Sequence, residues 1–295
     1  MEWIALENSC FQARNPVSNN LFQLGTKRIY MDIWDMITNW QLVLPPSRPS
    51  LPQLNRIVEV TRNLDRSLPV GVLGSTPEFR DLLYECGFKE ILIFERNISF
   101  YEAMSKSRVY QNPETIIEGD WLNTLPLYKN SLGLVLSDFT SGNLTYELRP
   151  KFYSSIENAL VDGGLFCDKV LTHTGTNLDL NILIKKYSSM PLDILYVNFF
   201  ICEALYLSEL LDINQVLDTS LFYSLLEEKS KNQRINAFID QAKKIIPPGG
   251  IWYYGVKWEN LLPDYCPNLR PMIVDDDESW SPYYRWAKHF IHKKV

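Results

Sequence analysis

Histidine and paired cysteine are what this chain has least of. It holds three His in 295 residues, and its five Cys (10, 86, 167, 202 and 266) are scattered without a CxxC spacing. That distribution excludes a zinc ribbon or finger, gives no disulfide framework, and leads to no metal site being assigned. A basic surplus is missing as well. Lys and Arg number 29 against 35 Asp and Glu, a net charge of −6, whereas a general nucleic-acid binder is usually basic. There is no long uninterrupted apolar run either. Ile194 to Leu211 carries Asn198, Glu203, Ser208 and Glu209, and it reads as a buried helix in preference to a membrane span. Met1-Glu-Trp-Ile-Ala-Leu-Glu7 lacks the basic start and apolar core of a secretory signal. The expectation is a cytoplasmic protein with no membrane or nucleic-acid partner. Its oligomeric state is open, a homodimer included.

What the chain does have is apolar content, 46% of its residues, which suffices for a large core. Residues 1–68 read as a helical leader or lid. Ile29, Ile33, Trp34, Ile37 and Trp40 repeat at helical spacing, Pro45-Pro-Ser-Arg-Pro49 breaks the helix, and Ser50 caps a second one over Leu51–Leu64. Arg48, between prolines, can reach a carboxylate. From residue 69 to 175 strands and helices alternate, the pattern of a doubly wound parallel sheet. Residues 176–250 read as four helical segments inserted as a cap, and their many Tyr and Phe are expected to be core. Residues 251–295 supply two final strands, Leu269–Val274 and Tyr283–Ile291, completing seven. The acidic run Asp275–Glu278 reads as a solvated loop between them.

Each strand of the alternating region ends on residues suited to a nucleotide-like ligand. Val70-Gly-Val-Leu73 runs into Gly74-Ser-Thr-Pro-Glu78, where Ser75 or Thr76 can cap the next helix, Pro77 suits its first turn and Glu78 complements its dipole. A turn of this kind at the head of a sheet commonly holds such a ligand. The second strand, Glu90–Glu95, ends in a carboxylate about twenty residues later, where an acid can accept both hydroxyl hydrogens of a ribose. The third, Glu114–Glu118, leads to Asp120, an acceptor for an exocyclic amine, and to Trp121, a flat face for a purine. The fourth, Ser131–Ser137, ends at Asp138-Phe139, and Asp162-Gly-Gly164 turns into the fifth, Leu165–Leu171.

In this order the segments Val72–Phe79, Ile93–Glu95, Glu118–Trp121, Val135–Phe139 and Asp162–Phe166 resemble a class I S-adenosylmethionine-dependent methyltransferase. The resemblance implies a Rossmann-like seven-stranded sheet and S-adenosyl-L-methionine as cofactor. It sets Gly74, Ser75, Thr76 and Pro77 against the methionine part and ribose, Glu95 on the ribose hydroxyls, and Asp120 and Trp121 on the adenine. Asp138 and Phe139 fall beneath the sulfonium. One departure stands out: the family's acidic residue and G-x-G-x-G become Gly71 and Gly74 followed by Ser-Thr-Pro-Glu. Other groups are then candidates for the amino-acid end, Glu78 and Arg48 among them. The polar groups nearest the acceptor side are Asp138, Tyr146, Tyr153 and His173, and proton removal is expected of Asp138, Tyr146 or His173. The leading expectation is methyl transfer to a small molecule. Two alternatives stay open: an enzyme that cyclises or cleaves S-adenosylmethionine to methylthioadenosine, and a non-catalytic partner subunit of the same fold.

Overall fold

Four short apolar runs, each followed by a turn and a helix, build one half of the sheet. In a computed structural model, which describes residues 40–171, 179–207, 216–230, 233–253, 265–275 and 287–295, they are β1 (Val70–Leu73), β2 (Ile91–Glu95), β3 (Thr115–Glu118) and β4 (Leu132–Asp138). All four pair in parallel, in the order β3-β2-β1-β4, and β1, β2 and most of β4 are buried on both faces, as helix-covered parallel strands must be. The strand β5 (Leu160–Leu171) continues beside β4. The last two strands, β8 (Leu269–Asp275) and β9 (Ala287–Lys294), finish the sheet, with β9 antiparallel between β5 and β8. The sheet is therefore β3-β2-β1-β4-β5-β9-β8, and its order reverses between β1 and β4. Such a reversal leaves a crevice at the carboxyl ends of those two strands.

The intervening helices are α1 (Leu51–Thr61), α2 (Pro77–Glu85), α3 (Ile98–Ser105), α4 (Trp121–Thr124) and α5 (Arg149–Ala159). Ser50 caps α1 in a reciprocal box: Gln53 N donates to Ser50 Oγ at 3.3 Å while Ser50 N donates to Gln53 Oε1 at 3.0 Å. One face of the sheet packs Val70, Val72, Ile93 and Leu136 against Ile57 of α1 and Phe79 and Leu83 of α2. The other packs Phe94, Leu132, Val135 and Phe166 against Phe152 and Ile156 of α5.

Beyond β5 come α6 (Leu180–Ser188), α7 (Ile194–Leu207), α8 (Thr219–Lys229) and α9 (Gln233–Ile245). Tyr187, Phe200, Phe222, Tyr223 and Phe238 are fully buried in a core of their own. Their helical spacing thus reflects packing, as expected. Several local expectations change. The third of the four segments read as helical begins as β6 (Val216–Asp218), which pairs antiparallel with β7 (Ile251–Tyr253), because a partner strand is there to take its amides. The expected turn at Asp162–Gly164 is absorbed as an irregularity of β5, where Leu132 pairs with Leu160 but Leu134 with Leu165. Trp40–Leu42 forms a single 3₁₀ turn, and the rest of the expected leader helix, with Trp34, lies outside the described residues. So do residues 283–286 of the expected last strand, which begins at Ala287 among the described residues and runs on to Lys294. All the described residues fall within one compact unit, Asp32–Val295.

Candidate functional site

The ends of four parallel strands meet in one cavity of about 430 Å³, at the crevice where the strand order reverses. Its walls are Leu73–Thr76 after β1, Glu95–Asn97 after β2, Gly119–Trp121 after β3 and Asp138–Leu144 after β4. Trp40, Val43 and Ser47 close it from the N-terminal side, and Trp252 and Tyr253 of β7 from the other.

At the first tip Gly74 adopts φ +87°, a conformation that disfavours a side chain, and its amide donates to Phe94 O at 2.9 Å. A Cβ added there would meet no atom within 4 Å, so the backbone faces open space at the cavity wall. The expected cap of α2 is not made. Thr76 occupies the capping position without a side-chain bond, and the Ser75 hydroxyl donates to Glu95 Oε2 at 3.2 Å instead. Ser75 therefore ties the tips of β1 and β2 together. Glu95 is only 6% exposed and also accepts from Asn97 N at 2.9 Å. Burial raises its pKa, and the Asn97 amide and Ser75 hydroxyl oppose that rise.

At the third tip Gly119 takes φ +142° beneath Thr124, where a Cβ would come within 2.8 Å of Thr124 Cγ2. Asp120 caps α4, its Oδ1 accepting from Leu122 N at 2.8 Å. Trp121 Nε1 donates to Phe94 O at 2.8 Å, which fixes the indole in the cavity wall.

The fourth tip carries a charge pair that the sequence reading did not assign. Lys169 of β5, 1% exposed, pairs with Asp138 at 2.6 Å. Its ammonium also donates to Pro46 O at 2.8 Å and sits 4.4 Å from the centre of the Phe139 ring. Phe139 itself adopts φ +56°, an uncommon state for an aromatic residue and one that bends the chain sharply after Asp138. Burial pushes Asp138 up and Lys169 down, and each opposes the other's shift. A Lys inside the apolar run Leu165–Leu171 was the available signal, since a buried ammonium needs a partner.

Behind this wall Arg48 forms an ion pair with Glu78, and Trp40 Nε1 donates to Glu78 Oε1 at 2.9 Å. Burial raises the Glu78 pKa, with Arg48 opposing. Arg48 thus reaches a carboxylate of the protein itself, and neither Arg48, Pro77 nor Glu78 lines the cavity. Tyr146 stands outside the lining too, its ring edge-on to Tyr253 at 5.9 Å. Gly74, Ser75, Thr76, Glu95, Asp120, Trp121, Asp138 and Phe139 all line one cavity, whereas His173 lies outside the described residues. Deeper in the wall, Tyr153 donates to Asp168 Oδ2 at 3.3 Å, and burial raises the Asp168 pKa to about 7. Among the described residues no group of three or more His, Cys, Asp or Glu is placed to hold a metal ion, and no helix is long and apolar enough to cross a membrane.

No protein-family profile matches the sequence, and neither does any curated protein. Solved structures resemble the fold. A Rhodobacter sphaeroides protein named as a Zn-dependent alcohol dehydrogenase superposes with TM-score 0.54 at 12% identity, over 88% of this chain and 98% of its own. A Mesorhizobium loti S-adenosylmethionine-dependent methyltransferase gives 0.46 at 12% identity, over 81% and 96%. The Burkholderia thailandensis 1,6-didemethyltoxoflavin-N1-methyltransferase, solved with its substrate and S-adenosylhomocysteine, gives 0.44 at 7%, over 82% and 76%. At such identities a likeness speaks to fold alone. The assignment rests on the strand order, five parallel strands followed by an antiparallel last strand inserted before its predecessor. By that order the chain has the seven-stranded, Rossmann-like fold of the class I S-adenosylmethionine-dependent methyltransferases.

Proposed function

We propose that this protein is an S-adenosylmethionine-dependent methyltransferase acting on a small molecule. The observation that carries the reading is Glu95, a carboxylate at the tip of β2 in the cavity wall, whose Oε2 accepts from the Ser75 hydroxyl and whose Oε1 accepts from Asn97 N. A carboxylate oxygen has two lone pairs, so both remain able to accept a ribose hydroxyl.

The other walls fit the same cofactor. Trp121 offers a ring for adenine and Asp120 an acceptor for its amine, since the described residues place no hydrogen bond on Oδ2. The open Gly74 backbone and Ser75-Thr76 suit the methionine part. Arg48 and Glu78 neutralise each other behind that wall, so their role is to hold Trp40 and the N-terminal stretch against it. Asp138 keeps a negative charge beside the place of the sulfonium, and Lys169 holds it there. When bound, the cofactor supplies an electrophilic methyl group. The protein orients the acceptor and keeps water out, and Asp138 is the cavity carboxylate nearest in role to a proton acceptor.

The acceptor side supports a small molecule because Trp40, Val43, Leu144, Val170, Trp252 and Tyr253 give the cavity a mostly apolar wall there. Calorimetry with S-adenosylmethionine and S-adenosylhomocysteine tests the reading. Binding of both is expected, and binding of neither overturns it. Methylthioadenosine formed from the cofactor alone would replace transfer with cleavage.

A further inference from the structure

Three arginines are buried among the described residues, Arg80, Arg108 and Arg149. Arg80 and Arg108 both pair with Glu114, and Arg108 also with Asp81. Among the described residues Arg149 has no such partner. It is 5% exposed, opens α5 and lines the acceptor side of the cavity. Its Nε donates to Ser141 O at 3.2 Å and its Nη2 to Tyr253 O at 2.6 Å, while the ring of Tyr146 lies 4.7 Å from Cζ. Two carbonyls and a ring thus hold the guanidinium in place without neutralising it. A guanidinium has five N–H donors, so three remain, Nη1 with both of its own. Asp168 feels this charge, yet it lies beyond ion-pair distance, and its burial favours the neutral acid. An arginine stays protonated even where burial lowers its pKa.

Resting on the reading of the cavity as a methyltransferase site, we propose that Arg149 binds a carboxylate of the methyl acceptor, which is an apolar or aromatic acid. A single fixed fork matches one planar monoanion. Beside it Leu144, Val170, Trp252 and Tyr253 are apolar or aromatic, and among the described residues the other cation in the cavity lining, Arg96, follows β2 at the end read as the ribose site.

The test uses the full chain saturated with S-adenosylhomocysteine and a matched panel of one- and two-ring aryl carboxylates, their amides and their methylamines, scored by thermal shift and calorimetry. The acids are expected to bind about 10- to 100-fold tighter than their amides, the range of a charged hydrogen bond. Arg149→Gln, which keeps donors for the two carbonyls, is expected to erase that preference without changing S-adenosylhomocysteine affinity, and Arg149→Lys to retain part of it. Equal binding of acids and amides by the wild type, no stabilisation by any acid, or a preference surviving in R149Q overturns the inference. Should R149Q fail to fold, the wild-type panel decides. Failure of S-adenosylhomocysteine itself to bind would instead fell the underlying reading.

Discussion

Replacing Lys169 by Met would expose how the fourth strand tip is held. The ammonium is 1% exposed and its partner carboxylate on Asp138 is buried as well, so the substitution leaves a charge with neither water nor a counterion. Breaking a buried pair by removing one member costs about 3–5 kcal/mol, because the survivor is uncompensated. In a chain of this size that corresponds to a fall of about 5–8 °C in Tm. Asp138 can escape the cost by taking up a proton. Its folded pKa is already raised by burial, and losing Lys169 raises it further. A raised folded pKa means stability that is present below the unfolded pKa and lost as pH rises through the folded one. The K169M deficit should therefore be small near about pH 4.5, just above the ordinary Asp range, and larger near about pH 8. Adding Asp138→Asn removes the carboxylate and should restore most of the loss with no pH dependence. Both variants lose the bond to Pro46 O, so the difference between them isolates the ion pair. Urea denaturation at the two pH values reads the effect. A double mutant no more stable than K169M, or a deficit independent of pH, would refute the reasoning.

Glu95→Gln should weaken S-adenosylhomocysteine binding about 10- to 100-fold by calorimetry, since charged acceptors are lost from two hydroxyls. In the wild type that affinity should fall as pH drops through the raised Glu95 pKa, because the protonated acid cannot accept both hydroxyls. Gly74→Val places a branched side chain at φ +87° and in open space at the cavity wall. It should abolish cofactor binding at a stability cost of about 1–2 kcal/mol, and unchanged affinity would move the ligand elsewhere. Phe152→Ala empties a fully buried position between the sheet and α5, and a loss of about 3–5 kcal/mol in urea denaturation is expected.

Local chemistry accounts for what could be read early. Buried parallel strands are short apolar runs, and their turns need glycine or a capping side chain, so β1 to β4 and the residues at their tips are visible one segment at a time. Glu95, Asp120 and Asp138 were legible for that reason, and they do converge on one cavity. The Ser75 hydroxyl was read as a cap because only its own turn was in view. Its true acceptor, Glu95, comes from the neighbouring strand. β6 was read as helix for the same reason, its partner β7 lying far along the chain.

The sequence by itself determined that this chain is a doubly wound α/β protein whose strand ends carry acids, glycines and aromatics. Hydrophobic periodicity and turn chemistry are properties of neighbours in the chain. Tertiary structure alone decided how the charges are matched. Arg48 and Glu78 cancel each other behind the wall, Lys169 holds Asp138, and Arg149 is the buried guanidinium that has no carboxylate partner among the described residues. Composition can require that buried charges be compensated, but only the packing of distant segments settles which group compensates which.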